Sequence, residues 1–347
     1  MSNENTNGHN MLVQVKNLKT HFFLTEGIVR AVDGVNFYID RGRTLGVVGE
    51  SGCGKSVTAR SIMNMIRPPG RNVAGQVIYH RQKKEAQGST VTEEIDLLTL
   101  EPMSAEMRSI RGGEFSMIFQ EPRASLSPLH TIGTQIMEGL KLHMDIDDEE
   151  ARQRAIEQLQ RVNIPKAEER IDAYAHQLSG GMCQRAMIAL ALACQPALLI
   201  ADEPTTSLDV TTEAQILNLM RELQDTFHTS IMYITHNMAV IAEIAQRVLV
   251  MYMGKDVELA PVDALFYDPR HPYTRALLRS IPRIDDEREM LAVMRGNVPD
   301  PYALPTGCPF HPRCESRLRV CSQPVEVPYV EVSPGHFVRC HLYAGGG

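Results

Sequence analysis

Eight consecutive residues, Gly49-Glu50-Ser51-Gly52-Cys53-Gly54-Lys55-Ser56, fit the spacing G-x-x-x-x-G-K-[ST]. The chemistry this spacing serves is phosphate binding. Its glycines let successive backbone N–H groups close around phosphate oxygens, and the start of the following helix adds favourable partial charge. Lys55 is expected to reach the β- and γ-phosphates, Ser56 to hold Mg²⁺ through its hydroxyl, and Val57 to continue the cradle into the helix. A second constellation is Leu198-Leu199-Ile200-Ala201-Asp202-Glu203, an apolar strand that ends in two acids. Buried strands avoid charge at their tips unless the charge has a task, and ligands gather at the carboxyl edge of a parallel sheet. Asp202 is placed to support Mg²⁺ and Glu203 to polarise an attacking water.

A third constellation, Leu178-Ser179-Gly180-Gly181-Met182-Cys183-Gln184-Arg185, puts a hydroxyl and two glycines at a helix start. Taken alone, this is an N-cap or an anion site with similar ease. One nucleotide does not need two cradles from one chain, so the second is expected to serve a nucleotide held by another subunit.

Seven cysteines are present, and four of them, Cys308, Cys314, Cys321 and Cys340, are spaced C-x₅-C-x₆-C-x₁₈-C near the C-terminus. In a reducing compartment such a group reads as metal binding before disulfides. The surrounding segment is rich in proline and has little core of its own, so a metal staple would offset its ordering entropy. Tetrahedral Zn²⁺ and an iron–sulfur cluster both accept four thiolates. The absence of tight C-x₂-C pairs favours the cluster. His311, His336 and His341 lie nearby as competing ligands.

The elements that must position these groups are legible as alternating apolar runs and helical patterns. Strands are predicted at Leu45–Gly49, Phe115–Phe119, Leu198–Ala201, Ile231–Thr235 and Val248–Tyr252. Helices are predicted at about Lys55–Ile66, Glu149–Val162, Gly180–Cys194 and Thr211–Thr226. This alternation implies a largely parallel sheet covered on both faces. His80–Thr92 is polar and reads as a surface excursion. Beyond Pro261 the alternation stops in a loop-rich tail, which suggests a division into 11–261 and 262–347.

The 347 residues are 43% hydrophobic and 22% charged, which is ordinary globular composition. A net charge of −7 without a block of Lys or Arg argues against a nucleic-acid partner. No stretch approaches the roughly 18 apolar residues of a membrane span. The polar start, Met1–Asn10, lacks the features of a signal peptide, so a cytosolic protein is expected.

In order and spacing these motifs resemble an ABC-transporter nucleotide-binding domain over Met11–Pro261: an α/β P-loop NTPase with a helical subdomain that carries the signature. The resemblance makes Gly49–Ser56 the Walker A loop, and Asp202 and Glu203 the Walker B aspartate and catalytic glutamate. Gln120, after the strand FSMIF, matches the Q-loop glutamine, which also approaches Mg²⁺. Ser179, Gly180, Gly181 and Gln184 fall in the signature motif. Ser207-Leu208-Asp209 resembles the D-loop, and His236 matches the switch histidine. An aromatic near the N-terminus stacks on adenine in this family. Phe22 and Phe23 are the candidates, and Phe23 is preferred. Cys183 departs from the family's more usual polar or basic residue.

Three further stretches, Arg30–Val35 (RAVDGV), His271–Leu278 (HPYTRALL) and Gly307–Cys314 (GCPFHPRC), are similar to ATPase subunits of oligopeptide/dipeptide permeases, a family that includes nickel importers. The resemblance implies an ATPase that powers peptide import from the cytoplasmic face of the cell membrane. It also implies a second ATPase subunit, identical or different, two transmembrane permease subunits and an extracytoplasmic binding protein. Glu121–Leu140 would carry the groove for the permease. Some members carry a 4Fe–4S centre in this tail, which adds to the cluster reading.

Overall fold

The computed structural model describes residues 10–84, 90–206, 209–280, 294 and 296–344. The chain opens with β1 (Met11–Leu24), β2 (Gly27–Asp40), β3 (Thr44–Val48), α1 (Lys55–Ile62), β4 (Gly70–Lys84) and β5 (Thr90–Asp96). There follow α2 (Ala105–Gly113), β6 (Phe115–Ile118), α3 (Pro122–Ser125), α4 (Ile132–His143), α5 (Asp148–Arg161), α6 (Ala167–Arg170) and α7 (Gly180–Leu192). The next elements are β7 (Leu198–Asp202), α8 (Val210–Phe227), β8 (Ser230–Ile234), α9 (Met238–Ile244), β9 (Arg247–Tyr252) and β10 (Lys255–Pro261). The chain closes with α10 (Val262–Tyr267), α11 (Pro272–Arg279), β11 (Tyr329–Ser333) and β12 (His336–Arg339).

Two sheets form. The larger has the order β11-β12-β10-β9-β3-β8-β7-β6. Its centre, β9-β3-β8-β7-β6, is parallel, as the uninterrupted apolar runs require. Successive strand residues face opposite layers. Leu199 and Ala201 of β7 join the core under the helices, while Leu198 and Ile200 join the core against the smaller sheet. Tyr233 and Met232 of β8 divide in the same way. The smaller sheet, β2-β1-β4-β5, is antiparallel and supplies Leu12, Val15, Val35 and Phe37 to that second core.

The helical subdomain packs α4, α5 and α7 on one another. Helix α5 buries Ala151, Ala155, Gln158 and Leu159, one stripe at helical spacing. It carries three acids in its first turn and Arg161 in its last, complementing the helix dipole.

The excursion His80–Thr92 is made, where described, of β4 and β5, paired from Ile78↔Asp96 to Lys84↔Thr90. Regular structure does not, however, stop at Pro261. The C-terminal hairpin β11–β12 pairs with β10 through Glu258↔Val338 and Leu259↔Phe337, so the tail extends the central sheet.

Candidate functional site

The loop Gly49–Ser56 leaves β3 at the carboxyl edge of the parallel strands and enters α1. Gly54 caps α1 in a left-handed conformation (φ +102°), and a Cβ there would stand 2.2 Å from the Ala31 carbonyl oxygen. At Gly49 an added Cβ would meet the Met251 carbonyl oxygen at 2.2 Å. Both glycines are therefore required by close backbone approach. Lys55 is buried, and its Nζ donates to the carbonyls of Gly49 (2.8 Å) and Glu50 (3.1 Å). The Ser56 hydroxyl donates to Asp202 Oδ1 at 2.8 Å. Burial pushes the Asp202 carboxyl up, and the Ser56 hydrogen bond opposes this. Burial also raises the Cys53 thiol, with Lys55 opposing.

Glu203 follows the end of β7 in a left-handed backbone conformation (φ +49°), and its N–H donates to the Ile234 carbonyl. A non-glycine residue held this way is strained, and such strain collects at functional sites. Its carboxylate accepts from Gln120 Nε2 and from Thr206 Oγ1, both at 3.1 Å, and Oε1 stands 3.6 Å from His236 Nδ1. Ser51, Gly52, Cys53, Gly54, Lys55, Ser56, Gln120, Glu203 and His236 thus line one open cleft of about 560 Å³. Thr206 was not singled out in the sequence. Its signal was the pair of hydroxyls in Asp202-Glu203-Pro204-Thr205-Thr206.

The remaining sequence candidates lie outside the residues lining that cleft. Ser179 caps α7, accepting from the Met182 N–H at 3.3 Å, and both Ser179 and Gly180 are exposed. Gln184 is instead buried in the subdomain, where its Nε2 has no hydrogen-bond partner among the described residues. Cys183 is fully buried and its thiol reaches the Ala175 carbonyl at 3.3 Å, which accounts for a small apolar residue there. Asp209 caps α8, accepting from Thr212 N–H and Oγ1. Ser207 and Leu208 lie outside the described residues. Phe23 lies on β1 with the Arg71 guanidinium 4.3 Å above its ring.

Cys308, Cys314, Cys321 and Cys340 carry no disulfide and line one small cavity with His271, His311 and His341. Burial raises the thiol of Cys308 to about 12 and that of Cys340 to about 11, and the neighbouring thiols add to both. His341 Nε2 is buried there without a hydrogen-bond partner among the described residues. His336 is committed elsewhere, to Glu258 at 2.7 Å. Among the described residues, no group of three or more His, Cys, Asp or Glu side chains is disposed to hold a metal ion.

Known proteins share this arrangement. Residues 32–206 match the family model for ABC transporters, and residues 257–321 match the model described as the oligopeptide/dipeptide transporter C-terminal region. The chain therefore belongs to the ATP-binding proteins of ABC transporters, and it is an ABC-type ATPase. Within that class its relatives are peptide transport proteins. It is 48% identical to the oligopeptide transport ATP-binding protein AppD of Bacillus subtilis, across 97% of this chain and 98% of that one. It is 45% identical to the dipeptide transport ATP-binding protein DppD of Haemophilus influenzae, across 95% of each. Among solved structures it resembles the ABC cassette MJ0796 in a post-hydrolysis state bound to ADP and Pi. There the TM-score is 0.61 at 26% identity, covering 72% of this chain and 99% of that one. Among the described residues, no helix is long and apolar enough to cross a membrane.

Proposed function

We propose that this chain hydrolyses MgATP at a site completed by a second ATPase subunit, and that the cycle powers peptide import through permease subunits in the cell membrane. The observation that carries the reading is the cleft itself. It gathers Lys55, Ser56, Gln120, Glu203 and His236, while the signature residues Ser179 and Gly180 stand exposed outside it. Lys55 exchanges its carbonyl partners for phosphate oxygens when ATP enters. Ser56 and Asp202, 2.8 Å apart, fit a divalent cation, for a hydroxyl and a carboxylate are the hard oxygen donors Mg²⁺ takes. Mg²⁺ supplies charge neutralisation on the phosphate oxygens. Glu203, held by Gln120 and Thr206, orients a water toward the γ-phosphorus and accepts its proton, and His236 stands beside that carboxylate. Ser179 and Gly180 serve the nucleotide of the partner subunit, and Asp209 lies at the same face.

The peptide assignment rests on the relatives' names and on the match over residues 257–321. A groove lined by His130, Met137, Leu142 and Arg152, beside the exposed Leu129, supports docking of a permease at α4 and α5. Four thiols line the cysteine cavity, beside the His341 nitrogen that has no hydrogen-bond partner among the described residues. The spacing C-x₅-C-x₆-C-x₁₈-C, without tight C-x₂-C pairs, supports a 4Fe–4S cluster over Zn²⁺. Cys308, Cys314, Cys321 and Cys340 would hold it as a structural staple.

The test is reconstitution of the chain with its permease subunits, partner ATPase and binding protein in vesicles. Peptide should stimulate ATP hydrolysis and accumulate inside. Stimulation by nickel and not by peptide would overturn the substrate assignment. Iron, sulfide and zinc analysis of anaerobically purified protein decides the cluster, and stoichiometric zinc without iron rejects it.

A further inference from the structure

We propose that Arg313, in the C-terminal extension, is a positioning residue for the ATP site, holding the first turn of the phosphate loop through Glu50. The proposal rests on the reading that Gly49–Ser56 bind ATP. Arg313 ends a short 3-10 turn, His311–Arg313, and its side chain is 4% exposed. Its guanidinium forks onto Glu50, with Nη1 to Oε2 at 2.7 Å and Nη2 to Oε1 at 2.9 Å. Bidentate charge-assisted bonds of this kind fix geometry as well as adding energy. The fork is itself braced. Nη1 lies 3.3 Å from the Tyr252 hydroxyl, and the Phe310 ring packs edge-on against both Tyr252 and Tyr273.

Glu50 is the loop residue whose freedom matters. Gly49 before it is pinned by the carbonyl of Met251. Each polar handle of Glu50 is taken. Arg313 holds the carboxylate, and the Tyr273 hydroxyl accepts from its N–H at 2.9 Å. Its carbonyl accepts from Lys55 Nζ at 3.1 Å. Two of these three partners come from beyond residue 261. A shift of Glu50 would therefore move the carbonyl that seats the Lys55 ammonium. A loop that samples other conformations binds its ligand more weakly, by the fraction of time it is competent. The extension thus pre-organises the cradle.

The experiment compares Arg313→Met, Glu50→Gln, the double variant, Arg313→Lys and Lys55→Met in the assembled transporter. Equilibrium binding of a fluorescent ATP analogue and steady-state ATP hydrolysis are measured, with thermal unfolding alongside. Arg313→Met and Glu50→Gln should each raise KM for ATP about tenfold, as loss of a charged hydrogen-bond pair implies, with kcat within about twofold. The double variant should be no worse than the poorer single one, and Arg313→Lys should recover part of the loss. If Arg313→Met does not assemble, Glu50→Gln carries the same comparison. Unchanged KM in the singles, losses that multiply in the double, or a lowered melting temperature with KM intact would overturn the clamp. If Lys55→Met left nucleotide binding intact, it would overturn the underlying site assignment instead.

Discussion

The molecule carries two glycine-bearing helix starts, and they are built differently. At Gly49–Ser56 the backbone is wedged between Ala31 and Met251, Lys55 is buried, and two acids stand opposite. At Ser179–Gly181 the helix start is exposed, the serine hydroxyl is engaged in capping its own helix, and a Cβ on Gly180 would meet nothing within 4 Å. The first gathers the groups proposed above to handle phosphate. The second has a surface and a partial charge and little else, in keeping with the proposal that a partner subunit completes it.

Removing chemistry from the first cradle should have the largest effect. Glu203→Gln should lower turnover by about 10²–10⁴-fold, the usual worth of a positioned general base, while MgATP binding persists. Single-turnover hydrolysis by the assembled transporter measures it, and near wild-type turnover would reject the role. Damage to the second cradle should cost turnover without affinity. Gly180→Asp places a carboxylate where the partner's phosphates must approach. Hydrolysis at the partner's site should fall about 10²-fold, as for a misplaced reacting group, with nucleotide binding at this chain's own loop intact. Equal loss of binding at both sites would collapse the distinction between them.

Acid should loosen the backing of the first cradle selectively. His271 is fully buried and accepts from the Tyr273 N–H through Nδ1 at the start of α11, and Tyr273 holds Glu50. Burial lowers its pKa from 6.5 to about 4. The unfolded chain therefore takes up a proton first as pH falls, so this stabilising contribution is full above pH 6.5 and is lost progressively down to about 4. The loss amounts to about 3 kcal/mol at most. His271→Gln should flatten that part of the stability profile, measured by denaturant unfolding across the range. The smallest effect is expected at the second cradle's support. Asp209→Ala removes the cap of α8, whose Thr212 lies against Gly181, and should cost about 1 kcal/mol without changing ATP affinity.

The parallel centre of the fold was legible because its strands are buried on both faces and read as unbroken apolar runs, as in Leu198–Asp202. The antiparallel strands were not. β1 shifts register at four places along β2, which breaks the alternation a half-buried strand would otherwise display. The start of β5, Thr90–Thr92, is exposed, so His80–Thr92 showed no strand alternation and read as a surface excursion. The residues of the cleft were legible one motif at a time, since each sits at the tip of a strand or the start of a helix. The grip of Arg313 on Glu50 was not, because it joins residues 263 apart with no shared pattern.

The C-terminal hairpin has a consequence for how the protein comes into being. β10 carries two carboxylates with no exposure, Asp256 and Glu258. Their cationic or imidazole partners, Arg339 and His336, lie on β12, about 80 residues downstream. A ribosome delivers the acids long before it delivers what neutralises them. Until β12 emerges, the sheet ends in an open edge bearing two carboxylates that lack these partners. This edge disfavours early closure and, being charged, also resists pairing with a neighbouring nascent chain. Synthesis must pass β12 before this sheet edge can close, so a chain stopped short of β12 would leave Asp256 and Glu258 without these partners.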